Sequence, residues 1–135
     1  MTKIESDIVE TNKSAEKLYN FLTDFNNFKS LLPEDKVSDF QSTNDTCSFV
    51  VKSMPTIGMK IVDKTPHTQI NIVSHQGKVP FDFTLLVKLT AIDDSNSKIQ
   101  MIFEADLNMM IRMMVEKPLT NFFNMLVHKV KELPV

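Results

Sequence analysis

Cysteine occurs once in these 135 residues, glycine twice, and nowhere do lysines and arginines gather into a run. Each scarcity closes off a class. Cys47 alone cannot form an internal disulfide. Gly58 and Gly77, both at expected bends, cannot build a glycine-rich phosphate loop. With 15 basic against 17 acidic residues and a formal net charge of −2, the chain lacks the electrostatic footprint of a nucleic-acid binder. No uninterrupted apolar segment approaches the roughly 18 residues that a membrane span needs, so membrane insertion is not expected. The N-terminal "MTKIESDIVE" lacks the charged-then-apolar pattern of a secretory signal, and a cytoplasmic location is expected.

What is present fits an ordinary globular protein: 42% hydrophobic and 24% charged residues, and a length that suits one domain over 1–135 with a core of its own. "KIESDIVE" alternates like a strand, with Ile4, Ser6 and Ile8 set against Glu5, Asp7 and Val9, and Asn12 suits a helix N-cap. Ala15, Leu18, Tyr19, Leu22 and Phe25 then recur at helical spacing. A second short helix through Phe28, Leu31 and Leu32 stops before Pro33. Beyond it, turn signals fall every eleven residues at Asn44-Asp45, Pro55, Pro66 and Gly77, followed by "DDSNS" from Asp93. That interval predicts successive antiparallel strands. Between the turns, Cys47, Phe49 and Val51, then Met59 and Ile61, then Ile70 and Ile72 alternate with polar residues. Phe83, Leu85, Val87, Met101 and Phe103 should share one concave face, opposite Lys88, Gln100 and Glu104.

A long helix from about Asn108 to Leu133 ends the chain. A sheet of about seven strands is roughly 30 Å wide and one helix only about 10 Å across. The sheet must therefore curl around the helix, with the two short helices closing one edge. The expected architecture is α+β. The helix itself divides at Pro118, which should kink it or begin a new segment. After Pro118, Leu119, Phe122, Phe123, Leu126, Val127, Val130 and Leu133 form one apolar stripe. Before it, Met109, Met110, Ile111, Met113, Met114 and Val115 are apolar nearly all round, broken by Arg112 and its i+4 partner Glu116. Methionine fills irregular gaps without specifying them, so this half reads either as ordinary core or as a surface that adapts to something.

The order of elements, together with "SAEKLYNFLTDFNNFKSLLPE", "GKVPFDFTLLVKL" and "FEADLN", resembles the START-like (SRPBCC) superfamily, the birch-pollen-allergen fold, and in particular its small bacterial members of unassigned role. The resemblance spans Ile4 to Leu133. It implies a helix-grip fold with a cavity between sheet and C-terminal helix that binds apolar small molecules in many members. It says less about the ligand, since the superfamily also holds polyketide cyclases, lipid-transfer domains and co-chaperone domains.

Catalytic chemistry is thin. His67, His75 and His128 have no partners at metal-ligand spacing, Cys47 falls in an inward set as an inert thiol, and Glu104 and Asp106 fall outside the grip. No metal or cofactor is implied. Three readings follow. The first is a binding or carrier module for an apolar or amphipathic molecule, lipid-, sterol- or polyketide-like, with a cavity lined by Phe28, Met59, Phe83, Met101, Phe103, Met110, Met113 and Met114. The second is a cyclase or dehydratase using the same cavity, which would need an inward polar group, with Cys47, Tyr19 and Asn108 the only candidates. The third is a protein-interaction domain with an exposed methionine patch, facing a partner or a second copy in a homodimer.

Overall fold

The computed structural model describes residues 1–52 and 54–135. Strands β1 (Thr2–Glu5) and β2 (Val9–Thr11) precede helix α1 (Ala15–Leu22) and a 3-10 helix (Phe25–Leu31). Strands β3 (Val37–Ser42), β4 (Thr46–Val51), β5 (Ile57–Thr65), β6 (Gln69–Ser74), β7 (Phe83–Ala91) and β8 (Ser97–Ala105) follow. Helix α2 (Met109–Lys129) and one 3-10 turn (Val130–Glu132) end the chain. All pairing is antiparallel, in the order β1-β8-β7-β6-β5-β4-β3, with β2 also on β8. This is the expected α+β architecture, a curved sheet of seven strand positions gripping one long helix.

β1 and β2 share one edge position because a bulge divides them. Glu5 pairs with Ile102 and Val9 with Ile99, so the first strand carries one residue more than β8 over the same span. An extra residue reverses the alternation of faces. Ile4 and Val9 are accordingly both buried, while Ile8, grouped with Ile4 by the alternation, is 63% exposed. The Ser6 hydroxyl oxygen accepts from the Met101 N–H at 2.9 Å and holds the bulge in place. The cap of α1 also differs from expectation: Ser14, not Asn12, accepts from the Lys17 N–H at 3.1 Å. Asp24 caps the 3-10 helix through the Asn26 N–H at 2.9 Å.

On β7 and β8 the alternation is as expected. Phe83, Leu85, Val87, Met101 and Phe103 are buried toward α2, and Lys88, Gln100 and Glu104 lie on the other face. The inner face meets Leu119, Phe122, Phe123, Leu126, Val127, Val130 and Leu133. A continuous set of rings crosses this interface, from Phe83 to Phe103 (5.2 Å between centroids), on to Phe123 (5.6 Å) and Phe122 (5.7 Å), then Phe49 (5.8 Å) and Phe28 (6.2 Å). Each such contact adds about 0.5–1.5 kcal/mol beyond burial of area.

Asn108 caps α2 by accepting from the Ile111 N–H at 2.9 Å. The helix then runs through Pro118 without opening a second segment. Its rotation is set by the C-terminal stripe, and that phase, carried back in steps of four from Leu119, turns Val115 and Ile111 inward.

Candidate functional site

Between α2 and the sheet lies a small cavity of about 20 Å³. Among the described residues fourteen line it, and none of these carries a polar side chain. Its floor is Phe49 from β4 and Ile57 and Met59 from β5 with Phe83, Leu85 and Phe103 from β7 and β8; Phe28 closes one side, and Leu119, Phe122, Phe123 and Leu126 form the roof. Three half-buried residues from two loops complete it: Met54 from the β4–β5 connection, Val79 and Phe81 from the β6–β7 connection. They form the mouth.

The two glycines explain how those loops meet. A Cβ on Gly58 would collide with the carbonyl oxygen of His75, and one on Gly77 would lie 2.6 Å from the backbone nitrogen of Gly58. Both glycines are therefore there for close backbone approach; the left-handed residue of the β6–β7 turn is Gln76, at φ 52°. The His75 N–H donates to the Gly58 carbonyl at 2.9 Å, and the Lys78 N–H to the Thr56 carbonyl at 2.8 Å. The loops over the cavity are thus clasped to each other.

Of the residues expected to line the cavity, the structure brings Phe28, Met59, Phe83 and Phe103 together. Met101 is fully buried but packs elsewhere in the core. The expected placement of Met110, Met113 and Met114 is corrected: they are 73%, 78% and 69% exposed, beside Met109 at 78%. The reason is the helix phase, since Ile111 and Val115 already occupy the inward arc and the methionines fall on the opposite one. Extending the Leu119–Phe122–Leu126 stripe backward through Pro118 would have found this. Met54, Val79 and Phe81 sit in loops without periodicity, and no pattern pointed to them.

The polar candidates stay apart from the cavity. Cys47 is buried beside it, and burial pushes its thiol up to about 12, leaving it inert at neutral pH. His67 occupies a turn at φ 63°, its ring edge-on to Tyr19 at 5.6 Å. His128 Nε2 lies 2.9 Å from Asp7 Oδ2 at an exposed site on α2. Among the described residues no group of three or more His, Cys, Asp or Glu side chains could hold a metal ion. No helix among the described residues is long and apolar enough to cross a membrane.

No protein-family model matches the chain, and no curated protein matches it in sequence. Solved structures do resemble it. XoxI from Bacillus cereus superposes with a TM-score of 0.77 at 9% identity, over 98% of this chain and 94% of that one. A START superfamily protein from Mycobacterium smegmatis gives 0.74 at 13% identity, over 96% and 94%. The fold is START-like. The Aha1 dimer from Colwellia psychrerythraea shares this START-like architecture, with a TM-score of 0.71 at 14% identity over 98% and 95% of the two chains. At such identities the likeness concerns the fold, and function rests on the site.

Proposed function

We propose that the protein binds an apolar or amphipathic small molecule, lipid-, sterol- or polyketide-like, in the space between the sheet and α2. The observation that supports this reading is the lining itself: among the described residues fourteen, from both layers, converge on one space without a polar side chain among them. A cavity of about 20 Å³ has room for little more than a water molecule, so a ligand must displace side chains as it enters. The flexible Met54 and Met59 and the half-buried Val79 and Phe81 are the ones placed to yield. A molecule burying about 300 Å² of apolar surface would gain roughly 7 kcal/mol before ordering costs, which caps affinity near the micromolar range. The cyclase or dehydratase alternative finds less support, because among the described residues the lining offers no group to move a proton.

Titration with a fluorescent fatty acid tests the proposal. Binding should be one-to-one, and Leu119→Phe, which fills the cavity from α2, should weaken it at least tenfold while unfolding stays cooperative. Lys131→Glu on the exposed side should leave affinity unchanged. If the wild type binds no apolar probe and native mass spectrometry of fresh protein shows no bound mass, the reading fails. An interaction domain is the second reading, favoured by the exposed methionines of α2.

A further inference from the structure

The first two turns of α2 display Met109, Met110, Met113 and Met114 at 69–78% exposure, with no described element of the chain covering them. At about 100° per residue the four side chains span about 140° of the helix surface, on the side away from the arc that holds Ile111 and Val115. Together they expose roughly 600 Å² of apolar surface in one patch, at the upper end of what a monomer leaves bare. The patch has unlike ends. The exposed Lys117 falls on the same face one turn beyond Met113, and the exposed Asp106 precedes the helix at the other end.

We propose that this face pairs with the same face of a second copy, forming a two-fold dimer across antiparallel α2 helices. The pairing sets Met110 against the partner's Met113 and Met109 against the partner's Met114. In the same register Lys117 comes opposite the partner's Asp106, and by symmetry the reverse. A like arrangement with parallel helices would put equal charges together, so the charges select the antiparallel one. Two such faces bury roughly 1,200 Å² in total, the lower bound of a specific interface, so the dimer belongs to the weak, concentration-dependent class. Methionine suits it: its side chains repack against copies of themselves without a fixed mould. The interface is independent of what the cavity holds, since no lining residue takes part.

Sedimentation velocity of the full chain across about 1–300 µM should show a mass rising from 15.5 kDa toward twice that value. Met110→Glu and Met113→Glu, both at exposed positions and so neutral for folding, should each leave a monomer over the whole range, with circular dichroism unchanged. Lys117→Asp should weaken the dimer about tenfold, and the double exchange Lys117→Asp with Asp106→Lys should restore it. A wild type that stays monomeric at the highest concentration overturns the proposal. So does a dimer insensitive to the methionine variants, or a monomer that instead co-sediments with anionic phosphatidylserine vesicles through this face.

Discussion

The two halves of α2 are nearly equal in apolar content and opposite in fate. Leu119, Phe122, Phe123, Leu126 and Val127 are buried, whereas Met109, Met110, Met113 and Met114 stand in solvent. The difference lies in shape and phase. A ring or a branched aliphatic chain at i, i+3, i+4 spacing can lock one helix face onto a sheet, and once locked it fixes the rotation of every residue on the same rigid rod. The upstream half inherits that rotation. Only Ile111 and Val115 fall inward, so the remaining apolar side chains have nowhere inside to go. Apolarity alone therefore does not place a residue in the core; position on an element whose phase is set elsewhere does.

The contrast is tested hardest by truncation in the fixed half. Phe122→Ala removes a ring that touches both Phe49 (5.8 Å) and Phe123 (5.7 Å), and Leu126→Ala empties a fully buried site. Each should cost about 3–5 kcal/mol in chemical denaturation, since the rings of both layers cannot collapse into the space. Losses near 1 kcal/mol would mean that this half is loosely packed too.

How much of this was readable beforehand follows the same divide. Strands β4 to β8 and their turns were legible because alternation and turn residues are local signals, and the sheet's curl followed from the width of one helix. Phe28, Met59, Phe83 and Phe103 reached the cavity for the same reason: each sits in a register fixed by its neighbours. Ile8 was misplaced because a bulge leaves no mark in composition, only in the count of residues against β8. The methionines were misplaced because Pro118 invited a break that did not occur, which detached their phase from that of Leu119. The mouth at Met54, Val79 and Phe81 depends on two loops meeting across the sheet, which is tertiary information.

That loop contact gives a prediction of intermediate size. Gly58→Ala pushes a methyl group into the His75 carbonyl, a backbone atom that can move only with its loop. About 3 kcal/mol should be lost, and, because the clasp closes the mouth, apolar dye should bind the variant faster than the wild type. A neutral substitution would show that the loops are not held together at this point.

Cys47 compares the sheet side with the exposed helix face by pH. Burial raises its thiol from 9.0 to about 12, so the folded state favours the neutral form. The unfolded chain releases the proton first as pH rises. Its contribution is thus fully present below about pH 9 and is lost between about 9 and 12. Stability of the wild type relative to Cys47→Ala should be constant from pH 6 to 8 and should fall progressively above 9. A difference that is flat throughout would mean that the thiol is reached by solvent.

The smallest effect belongs to the methionines, and its smallness is the decisive outcome. Met110→Ala and Met113→Ala remove side chains that are 73% and 78% exposed, so little transfer energy is lost and no cavity is left. Alanine is also the better helix former by a few tenths of a kcal/mol. At about 1 µM, where a weak dimer is dissociated, each variant should unfold within about 0.5 kcal/mol of the wild type. At a few hundred micromolar the wild type should gain thermal stability that the variants lack, because association favours the folded chain. A loss above about 2 kcal/mol in the dilute sample would place these side chains in a core after all, and would return the adaptable half of α2 to the cavity.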